Sequence, residues 1–205
     1  MSLSVLPSRV WREANQSFYA SGVWQTVRDD DGRRILKYPT DLWVYREIIR
    51  RTQPAVIVET GSAEGGSAAW FADYAEVISI DIALPAHPDS RVSWITGSST
   101  AAETIERVYD HVRGRNCLVS LDSNHTVEHV RAEIEFYAPL VDIGGYLVVE
   151  DTAVDEYGLD AGHYPNGGPG IAAKEFLQRR TFEPDRHCER FLLGMNPGGW
   201  LRRVA

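Results

Sequence analysis

Residues 56–70, VIVETGSAEGGSAAW, decide the fold of this chain. A short apolar run opens the stretch, glycines and a lone acid interrupt it, and small and aromatic residues follow. This pattern is typical of a buried strand that ends in a tight turn and continues into a helix. Gly61 and Gly65 would let the backbone approach a ligand at the turn, with the amino end of the helix facing the same ligand.

The same alternation of short apolar runs and amphipathic stretches continues on both sides of this turn. It predicts strands over 55–60, 77–81, 92–95, 117–122 and 146–150, and helices over 43–51, 65–74, 101–112, 127–137 and 171–179. Thr40 or Asp41 is expected to cap the first of these helices. Near the C-terminus, two apolar runs flank NPGG in CERFLLGMNPGGWLRRV, which predicts an antiparallel hairpin. The fold class is therefore α/β, a doubly wound and mostly parallel sheet with an antiparallel C-terminal hairpin.

Length and composition limit the number of domains and the class of partner. With 205 residues, 43% of them hydrophobic, the chain is expected to form one domain over 54–205, preceded by a segment over 1–53 that packs on the core or on a partner subunit. The aromatic side chains of this segment favour a homo-oligomer. A net charge of −8 argues against a nucleic-acid partner. No apolar stretch has the length of a signal peptide or a membrane span, so we expect a cytoplasmic protein with no membrane partner.

Acidic side chains lie at the carboxyl ends of four of the predicted strands. They are Glu59, Asp81, Asp122 and the pair Glu150 and Asp151. Ligands of doubly wound sheets bind outside the carboxyl ends of the strands, and buried acids are costly there unless a ligand or an ion compensates them. The pattern therefore predicts a binding site at this edge of the sheet.

The turn after the first strand indicates which kind of cofactor this site would hold. Asp81 follows it by about 20 residues, the spacing at which an acid accepts hydrogen bonds from a ribose diol. The dinucleotide fingerprint GxGxxG is not met, because Ala63 stands where its second glycine would be. Glu59 and Glu64 would repel a pyrophosphate and favour a cationic ligand. S-adenosylmethionine therefore fits better than NAD.

Asp122, Glu150 and Asp151 should converge on one small volume, because the strands before them are expected to be neighbours. Three unpaired carboxylates repel one another, and Mg²⁺ is the simplest compensation. His125, three residues after Asp122, is placed to take a proton from a hydroxyl group near that ion. The alternative is that Asp122 caps the next helix while Glu150 and Asp151 begin a solvated loop.

His125 to His129 also match H-x-x-E-H, a zinc-peptidase pattern. Both histidines are expected to point away from the apolar stripe of the helix, and His125 lies at or before the helix start, so the sequence argues against a peptidase. His129 is predicted to be a solvated surface residue.

From about Leu36 to the C-terminus, the chain contains in this order the strings LKYPTDLWVYREII, VETGSAEGGSAAWFA, GSST, LDSNHTVEHVRAEIEFYAPLV, YLVVEDT, GGPG and FLLGMNPGGWLRRV. Together they resemble the cephalosporin hydroxylase family, whose members include rhamnosyl O-methyltransferases. The resemblance implies a class I, Rossmann-like, S-adenosylmethionine-dependent methyltransferase domain over 54–205, with a Mg²⁺ site similar to that of catechol O-methyltransferases.

The resemblance also assigns residues. It places Glu59, Gly61 and Ser67 at the methionine end of the cofactor, Asp81 on the ribose, and Ser98 and Ser99 near the adenine. Ser62, Gly65 and Ile82 complete the predicted cofactor site. Asp122, Glu150 and Asp151 are the implied metal ligands. Asp122 and His125 are the predicted catalytic residues, with His125 standing where the catechol enzymes carry a lysine base.

We therefore expect an S-adenosylmethionine-dependent, Mg²⁺-assisted O-methyltransferase acting on a hydroxyl group of a small molecule, such as a natural-product sugar or a related secondary metabolite. LKYPTDLW and GHYPNGGPG are candidate lids, with Tyr38, Trp43, His163 and Tyr164 available to cover the substrate. Three alternatives stay open: a non-catalytic accessory subunit, an iron-dependent hydroxylase with Asp122, His125 and His129 as ligands, and an NAD-dependent oxidoreductase.

Overall fold

The computed structural model of the protein describes residues 8–159 and 163–205. Its described residues form a seven-stranded sheet in the order β3-β2-β1-β4-β5-β7-β6. The strands are β1 Val56–Thr60, β2 Glu76–Asp81, β3 Val92–Thr96, β4 Cys117–Leu121, β5 Tyr146–Val149, β6 Phe182–Pro184 and β7 Trp200–Arg203. Strands β1 to β5 are parallel, and β7 runs antiparallel to β5 and β6. The predicted doubly wound sheet with an antiparallel C-terminal pair is confirmed.

Helices cover both faces of the sheet. They are α1 Ser8–Ser21, α2 Pro39–Thr52, α3 Gly66–Phe71, α4 Ala102–Val112, α5 Val127–Tyr137, α6 Ala153–Tyr157 and α7 Pro169–Phe176. Short 3-10 helices span Val23–Thr26, Ala138–Leu140, Leu177–Arg179 and Arg186–Glu189. Among the helices that the structure describes, none is long and apolar enough to span a bilayer.

The central strands are buried on both faces, which is why they read as continuous apolar runs. Every residue of β1, β4 and β5 is buried. On one face, Val108, Ile134 and Phe176 from α4, α5 and α7 belong to the core. On the other face, Tyr45 from α2 and Phe71 from α3 pack against the sheet. The carboxyl ends of β1 to β5 therefore meet at one edge of a rigid three-layer core.

Helix α2 begins at Pro39, four residues before the predicted start at 43. Proline fits the first helical position, where its missing N–H is not needed. Tyr38 is the N-cap residue, so the prediction of Thr40 or Asp41 as the cap is wrong. Asp41 is buried in the first turn, where its Oδ2 accepts a hydrogen bond from the Met195 backbone N–H at 2.8 Å. A contact distant in the sequence therefore determines the role of this acid.

The outer strand of the C-terminal pair also differs from the prediction. Phe182–Pro184 pairs with β7, whereas the apolar run 191–195 lies in a loop. That run is held instead by the N-terminal helices, since Asn15 Nδ2 donates to the Leu192 carbonyl at 2.8 Å and Asp41 binds the Met195 N–H. These tertiary contacts take the place of strand pairing.

The segment before α2 lies against the carboxyl edge of the sheet. Tyr38 is fully buried and its ring centroid lies 4.7 Å from that of Phe18. Trp24 stacks on Tyr19 at 5.6 Å, and both pack against the cluster that contains Tyr38 and Met195. This segment therefore supplies a wall above the strand ends. Contact with a partner subunit stays a prediction.

Candidate active site

A cavity of about 580 Å³ opens at the carboxyl ends of the parallel strands. Its lining combines the loops after β1, β2, β3 and β4 with the N-terminal segment. The lining residues used below are Tyr19, Trp24, Leu36, Gly61, Ser62, Ser67, Asp81, Ile82, Ser98, Ser99, Asp122, Ser123, His125, His129, Asp151 and Met195. Seven of the nine predicted cofactor residues are among them, all except Glu59 and Gly65.

The ends of β1 and β4 approach each other so closely that the first residue of the turn, Gly61, has to be a glycine. A Cβ on Gly61 would lie 1.9 Å from the backbone oxygen of Asp122, and the residue has φ +79°. Only glycine fits such a position without strain. The carboxylate of Asp81 then closes the turn, because its Oδ2 accepts the backbone N–H groups of Ser62 at 2.8 Å and Ala63 at 3.0 Å. Asp81 is thus structural as well as a candidate cofactor contact.

Gly65 does not line the cavity. It has φ +82°, and a Cβ there would lie 3.1 Å from both Pro85 and Trp94. The backbone conformation and the packing of the β2–β3 loop explain this glycine, rather than the approach to a ligand that the sequence suggested.

Glu59 lies fully buried at the end of β1 behind the cavity. Its Oε2 accepts a hydrogen bond from Ser79 Oγ at 2.7 Å, whereas Oε1 has no hydrogen-bond partner among the described residues. Burial raises the pKa of Glu59 to about 7, against the opposing effects of Lys37 and of the Ser67 and Ser79 hydroxyls. A buried carboxylate oxygen without a donor is costly, so a cationic donor beside Ser67 would be stabilised here.

Three side chains converge at one end of the cavity: Asp122 after β4, His125 before α5, and Asp151 after β5. One ligand atom from each lies within 4.8 Å of the others. His125 Nε2 is 3.3 Å from Asp122 Oδ1, and its Nδ1 is 3.3 Å from Asp151 Oδ2. Two carboxylates and an imidazole at this spacing form a donor set that a divalent cation can use.

Burial and the charges of neighbouring side chains shift the pKa values of Asp122, His125 and Asp151. Burial raises the pKa of Asp151 to about 7, although His125 opposes the rise. Burial also disfavours the charged form of His125, but the carboxylates of Asp151 and Asp122 outweigh it and raise the pKa of the imidazole to about 9. Lys37 and His125 lower the pKa of Asp122 despite its burial. His125 therefore lies between two acids that favour its protonated form.

The backbone at Asp151 is held by a neighbouring loop. Asp151 has φ +56°, a left-handed conformation that is unfavourable for a residue with a Cβ. Its N–H donates to Asn196 Oδ1 at 2.9 Å, and Asn196 is only 1% exposed. The turn NPGG, predicted as a hairpin element, thus supports a candidate metal ligand.

Glu150 differs from the predicted arrangement. Its Oε1 accepts hydrogen bonds from Lys37 Nζ at 2.6 Å, Tyr45 Oη at 2.7 Å and Ser120 Oγ at 2.5 Å. In the structure, His125 rather than Glu150 completes the group with Asp122 and Asp151. Burial raises the pKa of Glu150, and the three donors compensate its charge inside the protein. Its role as a metal ligand stays a prediction.

Lys37 is a residue of the candidate site that the sequence analysis missed. Its side chain is 1% exposed, and Nζ lies 2.8 Å from Asp122 Oδ2 and 2.6 Å from Glu150 Oε1. Burial disfavours its charge, but Asp122, Glu150 and Glu59 outweigh this and raise the pKa of Lys37. A signal was available, because Lys37 and Lys174 are the only two lysines among 21 basic residues. Lysine rarity alone does not identify the position, because Lys174 is exposed and pairs with Glu156 at the surface.

His129 is not the solvated surface residue that we expected. Its side chain is 20% exposed and lines the cavity, with Nε2 2.9 Å from Ser99 Oγ and 3.6 Å from Glu133 Oε1. His125 instead contacts Asp122 and Asp151. Within the described part of the chain the two histidines therefore share no metal cluster. Among the described residues, the ligand atoms of the zinc-peptidase pattern and of the Asp122–His125–His129 iron triad are therefore not grouped together.

The predicted lids are only partly at the cavity. Tyr38 is a core residue, and Trp43 is 50% exposed on α2 with its Nε1 donating to Glu47. In GHYPNGGPG, Gly162 lies outside the described residues, whereas the ring centroid of Tyr164 is 6.1 Å from that of His125. Tyr164 is therefore the aromatic side chain of this loop placed near the acidic group.

The strand order, the turn after β1 and the acid at the end of β2 define the fold of class I S-adenosylmethionine-dependent methyltransferases. Sequence comparison narrows this class. The chain belongs to the Rhamnosyl O-methyltransferase/CmcI family, whose model matches residues 23–204. The family resemblance stated from the motifs is confirmed.

Among the relatives, a rhamnosyl O-methyltransferase of Mycobacterium tuberculosis is 31% identical over 210 residues, covering 95% of this chain and 85% of its own. Among solved structures, CmcI with Mg and SAM matches with a TM-score of 0.66 at 22% identity, over 88% of this chain and 78% of that one. MycE with Mg, SAH and mycinamycin VI matches with a TM-score of 0.53 at 23% identity, over 68% and 41%. These two structural matches show the fold.

Proposed function

We propose that this protein is an S-adenosylmethionine-dependent, divalent-metal-assisted O-methyltransferase whose acceptor is a hydroxyl group of a sugar or of a sugar-bearing small molecule. The observation that carries the proposal is the convergence of Asp122, His125 and Asp151 at the rim of the cavity that Asp81 and the Gly61 turn line. The names of the relatives support the sugar acceptor, since the family includes rhamnosyl O-methyltransferases.

The residues present fit the cofactor. The orphaned Oε1 of Glu59 would accept a hydrogen bond from an ammonium group, and the cavity beside it is lined by Ser62 and Ser67. Oδ1 of Asp81 takes a long 3.4 Å contact from the Ala83 N–H and would accept a hydrogen bond from a ribose hydroxyl. Ile82, Ser98 and Ser99 complete this part of the wall. When bound, S-adenosylmethionine supplies an electrophilic methyl group, and a divalent cation orients and acidifies the acceptor hydroxyl.

His125 is the proposed base. As an imidazolium between two carboxylates it cannot accept a proton, so the field of Asp122 and Asp151 must first be compensated. With a cation held by these acids, the pKa of His125 would be lower, and the neutral ring would be able to accept the hydroxyl proton. Asp122, which contacts both His125 and Lys37, orients the ring.

The N-terminal segment positions the acceptor and excludes water. Tyr19, Trp24 and Leu36 of this segment, together with Met195 from the loop before β7, contribute apolar surface to the cavity wall. Methyl transfer needs an attacking oxygen about 3 to 3.5 Å from the methyl carbon, so positioning contributes much of the rate enhancement. Flat aromatic surfaces such as Trp24 suit the apolar face of a sugar ring.

Calorimetry and a transfer assay test this proposal. The purified protein is titrated with S-adenosylmethionine with and without Mg²⁺, and release of S-adenosylhomocysteine is then followed with a set of rhamnosides. We expect binding, Mg²⁺-stimulated turnover, and loss of turnover in Asp122→Asn but not in the control Asp110→Asn, an exposed acid on α4.

Each contrary result has a distinct meaning. Failure to bind S-adenosylmethionine under every condition would refute the proposal. Binding without turnover on any acceptor would favour the non-catalytic accessory subunit. The homo-oligomer and the cytoplasmic location stay predictions.

A further inference from the structure

A lysine from outside the sheet is buried among the acids of the candidate active site. Lys37 belongs to the segment before α2, yet its Nζ lies between Asp122, directly after β4, and Glu150, directly after β5. The ring of Tyr45 is 5.9 Å away and covers it from α2. Burial of a lysine with a side-chain exposure of 1% is costly unless opposite charges compensate it, and the acids around Lys37 provide that compensation.

The hydrogen bonds divide the oxygens of these acids into two sets. In the described structure, the side-chain donors to Glu150 are Lys37, Tyr45 and Ser120, and all three bind Oε1. Asp122 gives Oδ2 to Lys37 and turns Oδ1 toward His125. Lys37 therefore binds one oxygen of each acid, and on Asp122 it leaves Oδ1 to the side that His125 and Asp151 share.

We infer that Lys37 is an internal counter-cation of the metal site: it compensates Asp122 and Glu150 permanently, keeps the acids assembled in the absence of metal, and weakens the affinity of the site for a divalent cation. This inference rests on the proposed function. It makes Lys37 a positioning residue, because the lysine acts on the acids rather than on the acceptor or the cofactor.

The expected size of the effect follows from charge alone. A unit charge removed from about 5 Å of a divalent ion changes its binding about tenfold even at the dielectric constant of water, and more in a buried site. Removing Lys37 also leaves Asp122 and Glu150 as uncompensated buried charges, which destabilises the fold unless another cation enters. Metal affinity and metal-dependent stability should therefore rise together.

The test compares Lys37→Gln with Lys174→Gln, a matched change at the other lysine of the chain, whose side chain is 67% exposed. Mg²⁺ and Mn²⁺ are titrated by calorimetry, and the melting temperature is followed against metal concentration. We expect Lys37→Gln to bind Mg²⁺ at least tenfold more tightly and to show a larger Mg²⁺-induced rise in melting temperature than the wild type. Lys174→Gln should match the wild type in both measurements.

A second pair of variants keeps the test informative where Lys37→Gln does not fold. Lys37→Gln with Glu150→Gln removes one charge of each sign, so it should fold, and it should bind Mg²⁺ more tightly than Glu150→Gln alone. Lys37→Arg keeps the charge and should not tighten binding. Unchanged or weaker metal affinity in the lysine-free variants would overturn the inference, while binding of S-adenosylmethionine to the wild type tests the proposed function separately.

Discussion

Replacement of Gly61 by alanine tests whether the ends of β1 and β4 are packed as tightly as the structure shows. The new Cβ would lie 1.9 Å from the backbone oxygen of Asp122 and 2.7 Å from the Cα of Ser123, and the residue would keep φ +79°. The left-handed conformation costs about 1 kcal/mol for alanine, and the overlap adds about 1 to 3 kcal/mol because both obstacles are backbone. We expect Gly61→Ala to lower the free energy of unfolding by about 3 kcal/mol.

Gly114→Ala separates the two contributions. Gly114 has φ +73°, and no described atom lies within 4 Å of a Cβ placed there, so its change should cost only about 1 kcal/mol. Urea unfolding followed by tryptophan fluorescence measures both. Equal losses for the two variants would show that the β1–β4 approach is not tight, and would remove the reason given for glycine at position 61.

Three further predictions concern charge and geometry. Hydrogen bonding to Arg91 lowers the pKa of Asp89 to about 2 from 3.8, so its contribution to stability is present above pH 4 and lost as the pH falls through 2. Asp89→Asn should therefore cost about 1 to 2 kcal/mol in urea unfolding at pH 7 and much less at pH 2. His125→Gln should lower methyl transfer at least about 100-fold while calorimetry shows S-adenosylmethionine affinity unchanged; retained turnover would exclude it as the base. Asn196→Ala should weaken Mg²⁺ binding about tenfold, because the left-handed backbone of Asp151 loses its acceptor; unchanged affinity would contradict that role.

Local patterns predicted much of the sheet, because buried parallel strands are marked by their own residues. The run at 56–60 and the matching run at 117–121 identify two neighbouring strands, and α5 begins and ends at the predicted residues. The run at 191–195 misled the prediction, since it is as apolar as a strand but is held by Asn15 and Asp41. Hydrophobicity indicates that a segment is buried, and distant side chains determine which partner buries it.

In the candidate site, too, local sequence predicted some features and distant contacts determined the others. The acids at the strand ends were visible in the sequence, since each directly follows an apolar run. The directions of their side chains were not, because they depend on Lys37, about 85 residues before Asp122 in the sequence. His129 was misplaced for a related reason: its partner Ser99 lies after β3, on a loop that only the sheet order brings to α5.

Charge balance explains why the acids can be assembled before any ligand binds. Asp122, Glu150 and Asp151 carry up to three negative charges, and Lys37 with the imidazolium of His125 supplies two positive ones. The two cations differ in kind, because Lys37 is fully buried and keeps its proton, whereas His125 faces the cavity and has a pKa of about 9. The fixed charge on Lys37 stabilises the buried acids in the folded protein. The charge on His125 can be lost, which leaves a neutral imidazole able to accept a proton. A cation bound between Asp122 and Asp151 would therefore take the place of the charge on His125 rather than of that on Lys37.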